Sequence, residues 1–462
     1  MSSAAGAERV LTQANVYNCI MNMHPESRHQ GRFNVGDEWN DQTIESVEEV
    51  GSAVADVAIR PTLLRDGERL VLAYYDGSRR LTIADRTDER SDWTFQRVDS
   101  TVGWDSHNYI DLGIDRSGRL HIAGNMHASA LQYWIADSGG ASKDIRRLEV
   151  LSEAAREQRV TYPRFLREND GNLLFTYRNG TPGDGDFVCL RWNDEKGRYE
   201  PMTDGPLIEG RGKRNAYIDT NAPILGPDGS WHMLWVWRDS PEAESTHTVN
   251  YARSADLLNW TDAAGRRLGR PLVDCAGIVV DPVGPEGGLI NNNVRLGFFP
   301  DGRPTAIYHK RDDAGSQQVW AAVFDGDEWA RRQITAWNYR WDFSGRGSLD
   351  FKIEIGAPTT TPTGVAVDVR REEEVQTFCL SEELSTTSLE IASPWNPLRR
   401  VPRDNGLFDR ATPGRGWTPA SPGPGWFMLH TSVLDQRDQQ PVGQAPAAEP
   451  LVLVKTSRSA GD

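Results

Sequence analysis

Cysteine is scarce, with four residues in 462, at positions 19, 189, 275 and 379. Spacing this wide cannot staple a scaffold of this size. It fits reduced, buried thiols and leaves only a partial metal site open. Lysine is nearly as rare, at 143, 196, 213, 310, 352 and 455, so almost every basic residue is Arg, a bias that a GC-rich genome explains without a mechanism. Positive charge is in deficit overall: 51 Lys and Arg stand against 66 Asp and Glu, a formal net charge of −15. That field repels a phosphate backbone, so no nucleic-acid partner is expected. No apolar run approaches the roughly 18 residues of a membrane span, so no membrane partner is expected either. The opening MSSAAGAERVLTQ has neither a basic n-region nor an apolar stretch. It does not read as a secretory signal; the expectation is a cytoplasmic protein, or a secreted one whose signal has been removed. Helical periodicity is almost missing; only short pieces such as SEAAREQR look helical.

What is abundant is glycine and tryptophan, 43 and 16 residues. The glycines recur in one context: an alternating strand, a short Asp/Ser-Gly turn and a second alternating strand. The instances are RPTLLRDGERLVLAYYD, YIDLGIDRSGRLHIAGN, YPRFLRENDGNLLFTYRNG, NAPILGPDGSWHMLWVWRD and NVRLGFFPDGRPTAIYHKR, turning at Gly67, Gly118, Gly171, Gly229 and Gly302. Asp-Gly between alternating runs is a strong hairpin signal. A third and a fourth strand follow each hairpin (LTIADR, LQYWIAD, FVCLRW, VNYARS, QVWAAVF), and four strands per repeat matches a propeller blade. Blades are expected near 58–100, 107–150, 160–200, 217–275, 290–335 and 347–392. The last blade combines GWFMLHTSV and PLVLVKTS with the N-terminal VYNCIMNM, which hides the sheet edges. The expected fold is therefore all-β: a seven-bladed β-propeller of four-stranded antiparallel blades, a single domain over 1–462. Residues 393–425, rich in Pro and Gly, read as a surface loop.

A fold of this kind leaves function to the strand ends. His107 opens the first strand of its repeat and His127 follows the second, so antiparallel pairing puts both on one rim. His121, at the other end, reads as structural. Equivalent positions in later repeats carry Tyr162 with Tyr177 and Arg178, then Tyr217 with Arg238, then Asn291–Asn293 with His309 and Lys310. Such a recurrence of convergent polar groups is the mark of a site. Asp105 and Asp219 lie near the rim, but no glycosidase carboxylate pair stands out. Walker, GxSxG and HExxH patterns are all missing.

A His, Tyr and Arg cluster suits β-elimination on a uronic acid glycan. Arg178 would neutralise the carboxylate so that the neighbouring proton becomes acidic. His107 would remove that proton and Tyr162 would protonate the leaving oxygen. His127 and Tyr217 would hold the substrate or share the proton work, and Asn108, Tyr177, Arg238, His309 and Lys310 would bind substrate. This chemistry needs no cofactor.

The run DSHNYIDLGIDRSGRLHIAGNMH, with YPRF and TYRNG in the next repeat, resembles the BNR-repeat propeller family that contains ulvan lyases and related polysaccharide lyases. The similarity covers most of residues 50–345. It implies active-site roles for His107, His127, Tyr162 and Arg178, with Tyr217 the matching Tyr one repeat on. It also implies cleavage of an acidic polysaccharide or oligosaccharide between a sulfated rhamnose and a uronic acid. Secretion is usual in that family, so the missing signal is a departure. The family's lyases carry a structural zinc, for which His247, Cys275 and Cys379 are the candidates here. No CxxC or HxxxH spacing anchors that set, and separate buried residues are the alternative. YARSADLLNW resembles the sialidase-type Asp-box with Leu in place of its Gly, which speaks for fold rather than for sialidase activity. Two other functions stay open. One is an exo-acting α-L-rhamnosidase-type hydrolase on rhamnose–glucuronate linkages, with His24 or His29 in its chemistry. The other is a non-catalytic carbohydrate-binding propeller.

Overall fold

A computed structural model describes residues 38–39, 42–137, 144–149, 151–152, 158–372, 374–382, 384–388, 413–419, 425–433, 438–439 and 448–458. Among them the chain is all-β, with three single-turn 3-10 helices and no α-helix. All five repeat glycines have positive φ, 63° at Gly67, 79° at Gly118, 87° at Gly171, 76° at Gly229 and 86° at Gly302. Side-chain-bearing residues disfavour that backbone region, which is why glycine recurs at the turns. The turn aspartate does the rest: Asp115 Oδ1 accepts the backbone N–H of Ser117 at 2.9 Å and of Arg119 at 3.0 Å.

Contacts group the chain into two compact units. The first comprises 1–106, 136–145 and 400–462. It holds the 62–101 sheet, whose four strands pair in chain order, and a five-stranded terminal sheet. In the terminal sheet Gln42–Val54 pairs antiparallel with Ala448–Arg458, from Gln42↔Arg458 to Val54↔Ala448. Trp426–Val433 and Pro413–Pro419 then extend it. An early strand, Gln42–Val54, and a late one, Ala448–Arg458, thus meet in one sheet; VYNCIMNM lies outside the described residues. Pro413–Pro419 is a strand rather than part of a 393–425 loop, since its backbone pairs along Trp426–Val433. Leu63, Leu72, Trp426, Met428 and Leu453 form this unit's core.

The second unit, 107–135 with 146–399, holds five antiparallel sheets near the expected blade positions. They span 110–147, 160–201, 215–281, 295–333 and 353–388, each built on four strands paired in chain order. Every residue of the inner strand Trp231–Arg238 is buried, so both of its faces are covered. The cores join consecutive sheets: Tyr133 and Phe175 share one buried cluster, Leu174 and Trp235 a second, Leu234 and Tyr308 a third, and Ile307 and Val367 a fourth.

First strands of consecutive sheets are also clamped by buried polar side chains. Asp111 accepts the backbone N–H of Phe165 at 2.6 Å. Asp219 accepts that of Leu296 at 2.9 Å. Asn293 accepts from Ile355 and donates to Ile353, both at 2.8 Å. Burial pushes the Asp111 and Asp219 carboxyls above the usual range, against the pull of Arg164 and Arg295. A second repeated device pins the inner strand. His121 Nε2–H donates to Asp115 at 3.2 Å and Nδ1 accepts the Tyr133 hydroxyl at 2.6 Å; His232 does the same with Asp228 and Tyr251. His121 is structural, as its sequence position implied. In the Asp-box-like turn, Leu257 takes φ 61°, and Asp256 accepts the N–H groups of Leu258 and Asn259.

Candidate active site

One place in the second unit gathers the polar strand-end residues. Thr161 and Arg178 are cross-strand partners in the 160–201 sheet, and Asn215 and Arg238 are partners in the 215–281 sheet. Register therefore puts each arginine beside the start of the neighbouring first strand. Between Thr161 and Arg164 the register slips. Pro163 has no N–H for the ladder and disfavours the right-handed helical region for the residue before it. Tyr162 adopts φ 59°, and the bulge re-aims its ring. Ala128, next to His127, has φ 49°. Strained, non-glycine backbone of this kind costs about 1–3 kcal/mol per residue and concentrates where function over-determines geometry.

Thr161 ties the pieces together. Its Oγ1 accepts the N–H of Ala128 at 2.7 Å, which fixes the His127 loop, and an N–H of Arg178 at 3.0 Å. The His107 and His127 rings stack with centroids 4.1 Å apart and planes 16° apart. Tyr162 lies 6.1 Å from His107 on one side and 6.1 Å from Tyr217 on the other. The Arg178 guanidinium sits 4.9 Å from the Tyr162 ring centroid and donates to the Tyr217 hydroxyl at 3.3 Å. Tyr109 packs on Tyr162 at 5.9 Å.

Arg178 is 3% exposed and its Nε–H has no partner. Among the described residues it makes no ion pair with a carboxylate; its partners are a tyrosine and a threonine. A buried, unpaired charge is costly, and a site that holds one is prepared for an anion. Burial, and then Tyr217, push the Tyr162 hydroxyl well above the ordinary tyrosine range, although Arg178 and Arg238 pull the other way. Tyr162 is therefore a protonated donor at neutral pH. The two histidines are half-buried and each offers a ring nitrogen within 4.8 Å of the other's, so the pair could hold a proton or contribute ligands to a cation.

His107, His127, Tyr162, Arg178 and Tyr217 thus come together, with Arg238 5.7 Å from the Tyr217 ring. Asn108 is half-buried beside His107. Other expected rim residues have different partners. Tyr177 alternates to the opposite face from Arg178 and is in the core, 5.6 Å from Phe175. His309 is fully buried against Trp341 at 5.6 Å, takes an N–H from Gln317, and is pushed down to about 3 by burial. Lys310 pairs with Asp281 at 2.6 Å and covers Trp320. Asp219 is the sheet clamp described above. His24 and His29 lie outside the described residues.

The three expected zinc ligands are not assembled. His247 spends Nε2 on Asp239 at 3.0 Å and Nδ1 on Thr248 at 2.9 Å. Cys275 is exposed at a turn and Cys379 lies in the 353–388 sheet. Among the described residues the three belong to no common group of ligand atoms. Sequence reasoning passed over Thr161 and Asn215; their signal is positional, as the cross-strand partners of the two arginines.

Residues 71–337 match the sequence model of the BNR repeat-containing family. No curated protein matches the chain. Among solved structures it is similar to the polysaccharide lyase Uly1, with a TM-score of 0.62 and 11% identity over 90% of this chain and 99% of that one. It is also similar to a PL25 ulvan lyase, with a TM-score of 0.57 and 11% identity over 87% of this chain and 95% of that one. A second structure of a PL25 ulvan lyase, bound to –[GlcA(1-4)Rha3S]–, has a TM-score of 0.57 and 10% identity over 87% and 94% of the two chains. At such identities the likeness is one of fold.

Proposed function

The chain belongs to the BNR repeat-containing family, and on that footing we propose that it is a polysaccharide lyase that cleaves a uronic-acid-containing, ulvan-like glycan by β-elimination. The observation that carries the proposal is Arg178: a guanidinium 3% exposed, without a carboxylate among the described residues, against two tyrosines and linked through Thr161 to the loop of a stacked histidine pair. The uronate carboxylate supplies the missing counter-charge. Held by the Arg178 fork, it delocalises the charge that develops when the adjacent C5 proton leaves. His107 takes that proton. The electron pair forms the C4=C5 double bond and the C4–O bond breaks. Tyr162, kept protonated by burial, gives its proton to the departing oxygen. His127 and Tyr217 orient the sugar and the donor. No metal is needed for these steps.

The same reading takes the seven sheets as blades of one propeller domain over 1–462. The fold likeness to Uly1 and the pairing of Gln42–Val54 with Ala448–Arg458 in one sheet support this. The substrate class rests on the chemistry of the site and on the ulvan-type neighbours of the fold.

The test is purified protein on a panel of uronate glycans headed by ulvan, followed by the absorbance of the new double bond. Arg178→Ala should lower turnover by about 10²–10³-fold. Wild-type-like turnover in that variant would end the assignment of Arg178. Saturable glycan binding with no turnover would instead make the protein a carbohydrate-binding module.

A further inference from the structure

Arg238 is the second buried guanidinium at this site, 6% exposed, and it also makes no ion pair with a carboxylate among the described residues. Its surroundings differ from those of Arg178. Nε–H donates to the backbone carbonyls of Ser240 and Glu242, each at 3.2 Å. Nη1 donates to Asn291 Oδ1 at 3.1 Å, and Nη2 to the Pro241 carbonyl. The residues that follow Arg238 thus fold back and cage its own side chain. Arg178 keeps an N–H unspent, whereas every nitrogen of Arg238 is engaged by protein oxygen. A group bound in this way is poorly placed to grip a substrate and well placed to be a fixed cation.

The cage is itself held from outside. Ala243 N–H donates to the Gly345 carbonyl at 2.8 Å, and Gly345 N–H donates to the Glu244 carboxylate at 2.8 Å. Arg346 donates to Glu242 at 2.7 Å. On the other side the 180–185 turn presses against it: a Cβ on Gly183, φ 79°, would come within 2.5 Å of Ser240 Cα. Gly183 N–H donates to Asn215, the cross-strand partner of Arg238, at 2.6 Å. Charge carried 5.7 Å from the Tyr217 ring is therefore fixed by a loop held between the 180–185 hairpin turn and the 334–352 connection.

Resting on the lyase reading, we propose that Arg238 is a positioning residue rather than a substrate ligand. It holds Tyr217, and through it the Tyr162 donor, at working height, and the 239–245 loop latched on Glu244 and Gly345 carries it there. Electrostatics agree, since Arg238 is among the charges that act on Tyr162.

Two measurements on the full chain decide this. The first needs no substrate: hydrogen exchange of the 238–245 backbone in wild type, Glu244→Ala and Glu244→Gln. The amide side chain keeps an oxygen for Gly345 N–H, so Gln should stay close to wild type while Ala exchanges about tenfold faster or more. Equal protection in all three overturns the latch. The second is turnover of ulvan. Arg238→Gln should lower kcat about tenfold or more with KM within about twofold, whereas a substrate ligand lost would raise KM. Glu244→Ala should reproduce the kcat loss and Glu244→Gln should not. A KM that rises with kcat unchanged overturns the positioning role. Wild-type protein that binds but does not cleave ulvan overturns both the role and the lyase reading, while the exchange result still stands or falls alone.

Discussion

Thr161 shows how much a small residue carries here. Its hydroxyl oxygen serves the Ala128 N–H and the Arg178 fork at once, so it joins the histidine loop to the cation. Thr161→Val keeps the shape and removes the acceptor. The cost is about 1–3 kcal/mol for the donors left buried and unmade. A lower melting midpoint and a loss of turnover beyond that of a surface control should accompany it. His309 carries a different consequence. Burial lowers it from 6.5 to about 3, so in the folded state it is neutral where the unfolded chain binds a proton. Stability from this group is fully present above 6.5, and it is lost as pH falls from there toward 3. Chemical denaturation across that window should show the decline, and His309→Leu should flatten it. A slope unchanged by the substitution would contradict the assignment.

At the scale of strands and turns, the devices that were legible in the sequence are those with a local cause. The five turn glycines and their aspartates announce hairpins because a positive φ and an Asx turn need those residue types. Alternation also placed Arg178 on the same end as Tyr162. It was overextended at Tyr177, because adjacent strand residues point to opposite faces and only one of the Tyr177–Arg178 pair can reach the site. His309 turns into the core, and Lys310 is engaged by Asp281, partners that alternation alone did not reveal. Thr161 and Asn215 were not legible, since their importance comes from cross-strand register and a bulge. The zinc set was carried by resemblance, and ligand spacing gave it no support. The buried clamps between first strands were likewise invisible. Asp111→Ala strips the acceptor from Phe165 N–H and should cost about 1–3 kcal/mol in denaturant unfolding. A change within a few tenths of a kcal/mol would mean that packing alone sets the sheet spacing.

For the molecule as a whole, the net charge of −15 and the proposed polyanionic substrate oppose each other. Repulsion by distributed surface charge is long-range, with a Debye length of about 30 Å at 0.01 M salt and about 10 Å at 0.1 M. The Arg178 contact is short and buried, and it is screened far less. Raising salt from 0.01 to 0.1 M should therefore lower KM for ulvan, the opposite of a protein that captures polyanions with a basic face. The most direct test of the central claim is the mass of the ends produced from ulvan. Elimination at a uronate held by Arg178 predicts an unsaturated uronate on each new non-reducing end, lighter by one water than a hydrolysed end, and a product that disappears in Arg178→Ala. Saturated ends, or unsaturated ends formed equally well by Arg178→Ala, would contradict it.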